Sequence, residues 1–207
     1  MKVVGIVGSP RRGGNTEILT QIALDEIQKE GIETELIRLA EKKIIPCDGC
    51  RGCIKTGECR IKDDWASVFA KMKEADGIIL ASPVYYGAAT PQIVSFISRF
   101  YATSGKPLKR KVGGPIVVAR RAGQNFTLAQ LMFFFMINEM VIPGSSYWNI
   151  AFGRQKGDAL KDKEGINTMK NFAHNTAWLL KKIRTKPAQK ETAQKTIKTT
   201  TNAHAKR

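Results

Sequence analysis

Apolar and polar positions along this chain switch between two periods, and the switching is regular enough to predict every major element. Lys2 to Val7 is a nearly continuous apolar run, the pattern of a strand buried on both faces. From Thr16 to Glu30 the residues Ile18, Leu19, Ile22, Ala23 and Ile27 recur at helical spacing, and Gly31 stops the run. Glu33 to Leu39 alternates as a strand does. Asp63-Asp64 then open a predicted helix to about Ala75, carboxylates being suited to a helix N-terminus. Gly77 to Ser82 is a further buried strand, followed by a predicted helix from about Pro91 to Thr103. A strand at Gly114 to Ala119, a helix from about Asn125 to Glu139 and a fifth strand within Val141 to Ala151 come next. A last helix is expected from about Lys163 to Ile183.

Strands separated by helices imply an α/β fold: one open parallel sheet of five strands, right-handed crossovers and helices on both faces. No internal repeat and no second domain interrupt residues 1–184. Such sheets bind ligands at the carboxyl ends of their strands. Every unusual loop here follows a strand. The loops Gly8–Thr16, 46–62 (with all the cysteines), Pro83–Gly87 and Arg120–Gln124 are therefore expected to share one edge.

Composition narrows the function classes. With 207 residues and 43% apolar content the chain can bury a sizeable core. Its first residues read as a strand and not as a signal peptide, and its greasiest segment, Leu131 to Ile137, falls far short of the roughly 20 residues a membrane span needs. A cytoplasmic protein with reduced thiols and no membrane partner is expected. The formal charge is +16, and part of it lies in residues 185–207, which carry six Lys/Arg and one Glu and are expected to be a basic disordered tail. No helix-turn-helix, zinc-finger or RNP-like motif accompanies the charge, so a specific nucleic-acid partner is not expected. An acidic protein or an anionic cofactor explains the basic residues equally well. Only His174 and His204 are histidines, which excludes His-based acid/base or nucleophilic machinery. The chemistry has to come from a cofactor. Phe133-Phe134-Phe135-Met136 reads as core, with an outer face available to a second subunit.

Three motifs carry that chemistry. The first is Gly8-Ser9-Pro10-Arg11-Arg12-Gly13-Gly14-Asn15-Thr16, whose glycines, hydroxyls and following helix N-terminus make a phosphate cradle. It is not a Walker A loop, because Gly14 and Asn15 stand where Lys and Ser/Thr are required, nor does it fit G-x-G-x-x-G. A single terminal phosphate, as in FMN, suits it best. The second is Ser82-Pro83-Val84-Tyr85-Tyr86-Gly87, where paired tyrosines and an exposed turn can supply an aromatic wall and backbone donors to a flat ring. Arg120-Arg121-Ala122-Gly123-Gln124 could close over the ring from the fourth strand. The third is Cys47-x2-Cys50-x2-Cys53-x5-Cys59, which holds every cysteine in the chain. Structural zinc usually wants two knuckles separated by a dozen or so residues. The compact tripod with a fourth thiolate is closer to a ferredoxin-type [4Fe–4S] site, with zinc, a redox dithiol and ligand-free thiols as alternatives.

Together these motifs closely resemble the iron–sulfur flavoproteins of the flavodoxin-like NAD(P)H-dependent FMN reductase superfamily, over about residues 1 to 155. The resemblance implies a flavodoxin-like three-layer sandwich with sheet order 2-1-3-4-5. It implies FMN with its phosphate on Ser9, Arg11, Gly14, Asn15 and Thr16 and its ring against Pro83, Val84, Tyr85, Tyr86 and Gly87, with Gly123 nearby. It further implies a [4Fe–4S] cluster on Cys47, Cys50, Cys53 and Cys59 near the flavin, and a homodimer or homotetramer. Electrons would come from a ferredoxin-like donor, steered to the basic segment Lys42 to Lys62, and leave to a small-molecule acceptor. Two other wirings are open: an NAD(P)H-dependent FMN or quinone reductase without a cluster, in which Arg120 or Arg121 meets a nucleotide 2′-phosphate, and a flavodoxin-like carrier or redox sensor.

Overall fold

The computed structural model describes residues 1–102 and 107–184. The basic tail expected at 185–207 and the predicted end of the fourth helix at Thr103 lie outside them. Five parallel strands, β1 (Lys2–Val7), β2 (Glu33–Arg38), β3 (Gly77–Pro83), β4 (Val112–Ala119) and β5 (Ile150–Phe152), form one sheet in the order β2-β1-β3-β4-β5. The helices are α1 (Asn15–Lys29), a single turn α2 (Cys53–Thr56), α3 (Trp65–Glu74), α4 (Pro91–Ser98), α5 (Gln124–Ile137) and α6 (Lys163–Arg184). The class matches the expectation from the hydrophobic pattern, and the strand order matches the one the family resemblance implies.

Side chains of the central strands alternate between two cores, which is why these strands read as continuous apolar runs. Val4, Ile6, Ile78, Leu80 and Val117 face Trp65, Ile93, Phe96, Leu131 and Phe135 on the α3–α4–α5 side. Val3, Val7, Ile79, Ala81, Ile116 and Val118 face Leu19, Leu24, Met169, Phe172 and Leu180 on the α1–α6 side. Of the aromatic run in α5, Phe134 and Phe135 are buried, while Phe133 and Met136 point to solvent.

Three boundaries differ from the pattern. β4 starts at Val112, because Gly113 and Gly114 continue the ladder with β3 despite their weak strand propensity. β5 is only three residues long and ends one residue later than expected. α4 gives way to a 3₁₀ turn at Arg99–Ala102. Among the described residues no helix is long and apolar enough to cross a membrane.

Candidate functional site

The loop after β1 is shaped by close approach to α4. The Gly8 amide donates to the Ala81 carbonyl at 2.8 Å, and Thr90 Oγ1 donates to the Gly8 carbonyl at 2.8 Å. A Cβ on Gly8 would lie 2.2 Å from Ile93 Cγ1, so only glycine fits. The Thr90 amide donates to Ser82 Oγ at 2.9 Å, which ties the β1 loop to the β3 loop.

Gly14 occupies the N-cap of α1 and brings no side-chain cap. The first-turn amides of the helix open, without a side-chain acceptor at that position, on a cavity of about 330 Å³ lined by Ser9, Arg11, Gly14, Asn15 and Thr16. The ring wall of the same cavity is Pro83, Val84 and Tyr85, with Val118 and Arg120 from the end of β4. Three strand-end loops thus meet as predicted.

The fourth wall, Gly153, Arg154 and Gln155 after β5, was not anticipated. Its signal is present in the chain: a basic run bounded by Gly153 and Gly157 directly follows the last strand. Lys156 belongs to it, and its ammonium lies 3.0 Å from where a Cβ on Gly13 would sit. Arg11, Arg120 and Arg154 on the lining, with Lys156 beside Gly13, give the cavity a positive potential. Glu17 accepts the Gly13 amide at 2.8 Å and pairs with Arg38 at 2.6 Å. The Arg38 hydrogen bond holds the Glu17 carboxyl below its usual range, against the opposing effect of burial.

Asn15 plays a different part from a bare phosphate contact. Its Nδ2 donates to the Gln155 carbonyl at 2.7 Å, and its Oδ1 accepts the Gly157 amide at 2.8 Å and the Ala159 amide at 3.3 Å. It pins the β5 loop over the cradle.

The tyrosine shelf is a tight turn. Tyr85 and Ala88 exchange backbone hydrogen bonds at 2.8 and 2.9 Å, and the two residues between them have positive φ, 50° at Tyr86 and 78° at Gly87. Tyr86 projects fully into solvent, outside the cavity lining, and Tyr85 is partly exposed on its rim. Gly123, with φ of 86°, lets the β4 loop touch this turn: a Cβ there would lie 2.9 Å from Val84 Cγ1 and 3.1 Å from Gly87 Cα. Beside it, Gln124 Oε1 is buried with no hydrogen-bond partner among the described residues.

Cys47, Cys50, Cys53 and Cys59 open on a second cavity of about 350 Å³. None is in a disulfide, and among the described residues no three metal-ligating side chains converge on one point. In number and type the four thiols are the donor set of an iron–sulfur cluster. Arg51, Arg60 and Arg99 on the cavity wall would offset the charge of such an assembly. The residues present therefore fit the group.

The two cavities share no lining residue. The phosphate, tyrosine and β4 loops line one cavity, and the cysteine loop lines the other. Its base is fastened elsewhere: the Cys47 amide donates to Ser98 Oγ at 3.1 Å, at the end of α4. A crossover helix runs from the carboxyl end of one strand back to the start of the next, which carries Ser98 away from the flavin-type cavity.

Comparison with known proteins agrees with this geometry. A family model described as NADPH-dependent FMN reductase matches residues 1–155. An iron–sulfur flavoprotein of Methanocaldococcus jannaschii is 42% identical over 192 residues, covering 89% of this chain and 100% of that protein. One from Archaeoglobus fulgidus is 34% identical over 192 residues, covering 87% and 98%. Among solved structures, RosB, described with a bound 8-demethyl-8-formylriboflavin-5′-phosphate intermediate, superposes with a TM-score of 0.74 at 19% identity, covering 98% of this chain and 87% of that one. The shared fold is flavodoxin-like, and the chain belongs to the iron–sulfur flavoprotein group of the NADPH-dependent FMN reductase family, whose members are FMN-dependent oxidoreductases.

Proposed function

We propose that this FMN-dependent oxidoreductase passes electrons between a ferredoxin-like donor and a small acceptor, with FMN in the strand-end cavity and a [4Fe–4S] cluster on Cys47, Cys50, Cys53 and Cys59. The observation that carries the reading is the presence in one chain of an anion-binding cavity with an aromatic rim and of a separate cavity onto which all four cysteines open. When bound, a cluster supplies one-electron transfer and FMN supplies both one- and two-electron chemistry. The α1 amides and the cations Arg11, Arg154 and Lys156 would hold the phosphate, and Pro83 to Tyr85 would wall the ring. The basic segment from Lys42 to Lys62 steers an acidic protein donor.

The test is anaerobic purification followed by flavin, iron and acid-labile sulfide analysis of wild type and Cys53→Ser. Iron and sulfide in a fixed ratio to FMN, lost in the variant while FMN stays, are expected. Flavin without iron in wild type, bleached by NADPH, establishes instead the cluster-free NAD(P)H-dependent FMN or quinone reductase. That second reading draws support from the matching family model, which is described as NADPH-dependent FMN reductase. A homo-oligomer, the assembly state the resemblance implies, would find an apolar surface in the exposed Phe126, Phe133, Met136 and Ile137 of α5.

A further inference from the structure

One buried cation closes the neck of the cysteine loop. Arg99 and Asp63 form an ion pair whose side chains are 1% and 0% exposed. Arg99 Nη1 donates to both Asp63 oxygens, at 2.6 and 2.7 Å, and Nη2 donates to the Ile61 carbonyl at 2.9 Å. Nη1 also reaches the Ile45 carbonyl at 3.4 Å, and Asp63 Oδ2 accepts the Ile45 amide at 2.8 Å. Ile45 stands two residues before Cys47 and Ile61 two residues after Cys59, so a single guanidinium bridges both sides of the neck. The guanidinium carbon sits 4.9 Å from the Trp65 ring centre, which fixes its plane. The same side chain forms part of the wall of the cysteine cavity, and Asp63 does not.

A buried ion pair is a poor device for stability alone, because desolvation of both charges offsets most of their attraction. Its value lies in the one geometry it permits. We propose that Arg99 is the positioning residue of the cysteine site: it holds the two ends of the loop in register and sets a fixed positive charge beside the thiols. Lysine cannot do the first task, since it has no planar fork to span Asp63, Ile45 and Ile61 at once, but it can do the second. The charge effect rests on the cluster reading above; the loop effect does not.

Wild type, Arg99→Lys and the double variant Arg99→Met/Asp63→Asn, which leaves no buried charge unpaired, separate these effects. In iron-free, FMN-bound protein, amide exchange across residues 43–62 is expected to speed up about tenfold or more in both variants, with β1, β3 and β4 unchanged. In iron-loaded protein both variants should lose iron to a chelator about tenfold more readily. The cluster midpoint potential should fall in the double variant, because the cation it removes lines the thiol cavity while the carboxylate removed with it does not, and stay near wild type in Arg99→Lys. Unchanged exchange, or faster exchange spread evenly over the sheet, overturns the positioning role. If wild type binds no iron, the cluster reading fails while the exchange comparison still decides the role of Arg99.

Discussion

Tyr86 shows how a tight turn can hold a single residue at the expense of its own comfort. A non-glycine residue at a φ of 50° is strained by about 1–2 kcal/mol, and this side chain recovers nothing by burial because it is fully exposed. Tyr86→Gly is expected to raise unfolding stability by about 1 kcal/mol in a denaturant titration. Glu17 works in the opposite sense, since it serves the loop through charge. Its carboxyl is held below the ordinary glutamate value of 4.5 by the Arg38 hydrogen bond, so its contribution is present above that pH and is lost as pH falls through the lowered value. Glu17→Gln should therefore be less stable than wild type by about 1–2 kcal/mol at neutral pH, with the gap closing below about pH 4. Tyr86 sits in a motif that the sequence marks and Glu17 directly follows one, yet neither role was visible there. The pairing of Glu17 with Arg38 joins residues 21 apart, and the φ of Tyr86 is imposed by the hydrogen bonds of the turn around it.

At the level of elements, the cradle is a helix start covered by a loop from the far end of the chain. The first half is legible locally: a glycine-rich turn after an apolar strand and before an amphipathic helix predicts an exposed helix N-terminus. The second half is not, because the segment that covers it arrives 140 residues later through the Asn15–Gln155 hydrogen bond. Asn15→Ala should release the 153–159 loop, costing about 1–3 kcal/mol of stability and lowering FMN affinity together. Asn15→Asp, which keeps the acceptor for the Gly157 and Ala159 amides, should restore part of the stability and little of the affinity beside a phosphate. Stability that falls with affinity unchanged would show that the loop does not touch the bound phosphate. The outward row on α5 belongs to the same scale. Phe133→Glu with Met136→Lys is expected to shrink the species seen by light scattering without lowering the melting temperature, since both side chains are exposed.

For the whole molecule, the two cores lie against the sheet and contain none of the four cysteines. Removing iron with a chelator is therefore expected to leave far-ultraviolet circular dichroism and FMN content unchanged, with new exchange confined to about residues 43–62. Loss of flavin on iron removal would contradict that independence. The sequence by itself determined the fold class and, through its superfamily resemblance, the strand order, and it marked the segments that carry candidate phosphate, ring and metal chemistry. It could do so because hydrophobic period, glycine placement and cysteine spacing are local properties of the chain. Only the tertiary structure decided which of these motifs meet. It brought the β5 loop onto the phosphate cradle and kept the cysteine loop apart, hung from Arg99 at the end of α4. Those outcomes depend on hydrogen bonds and ion pairs between distant residues, whose partners no local pattern encodes.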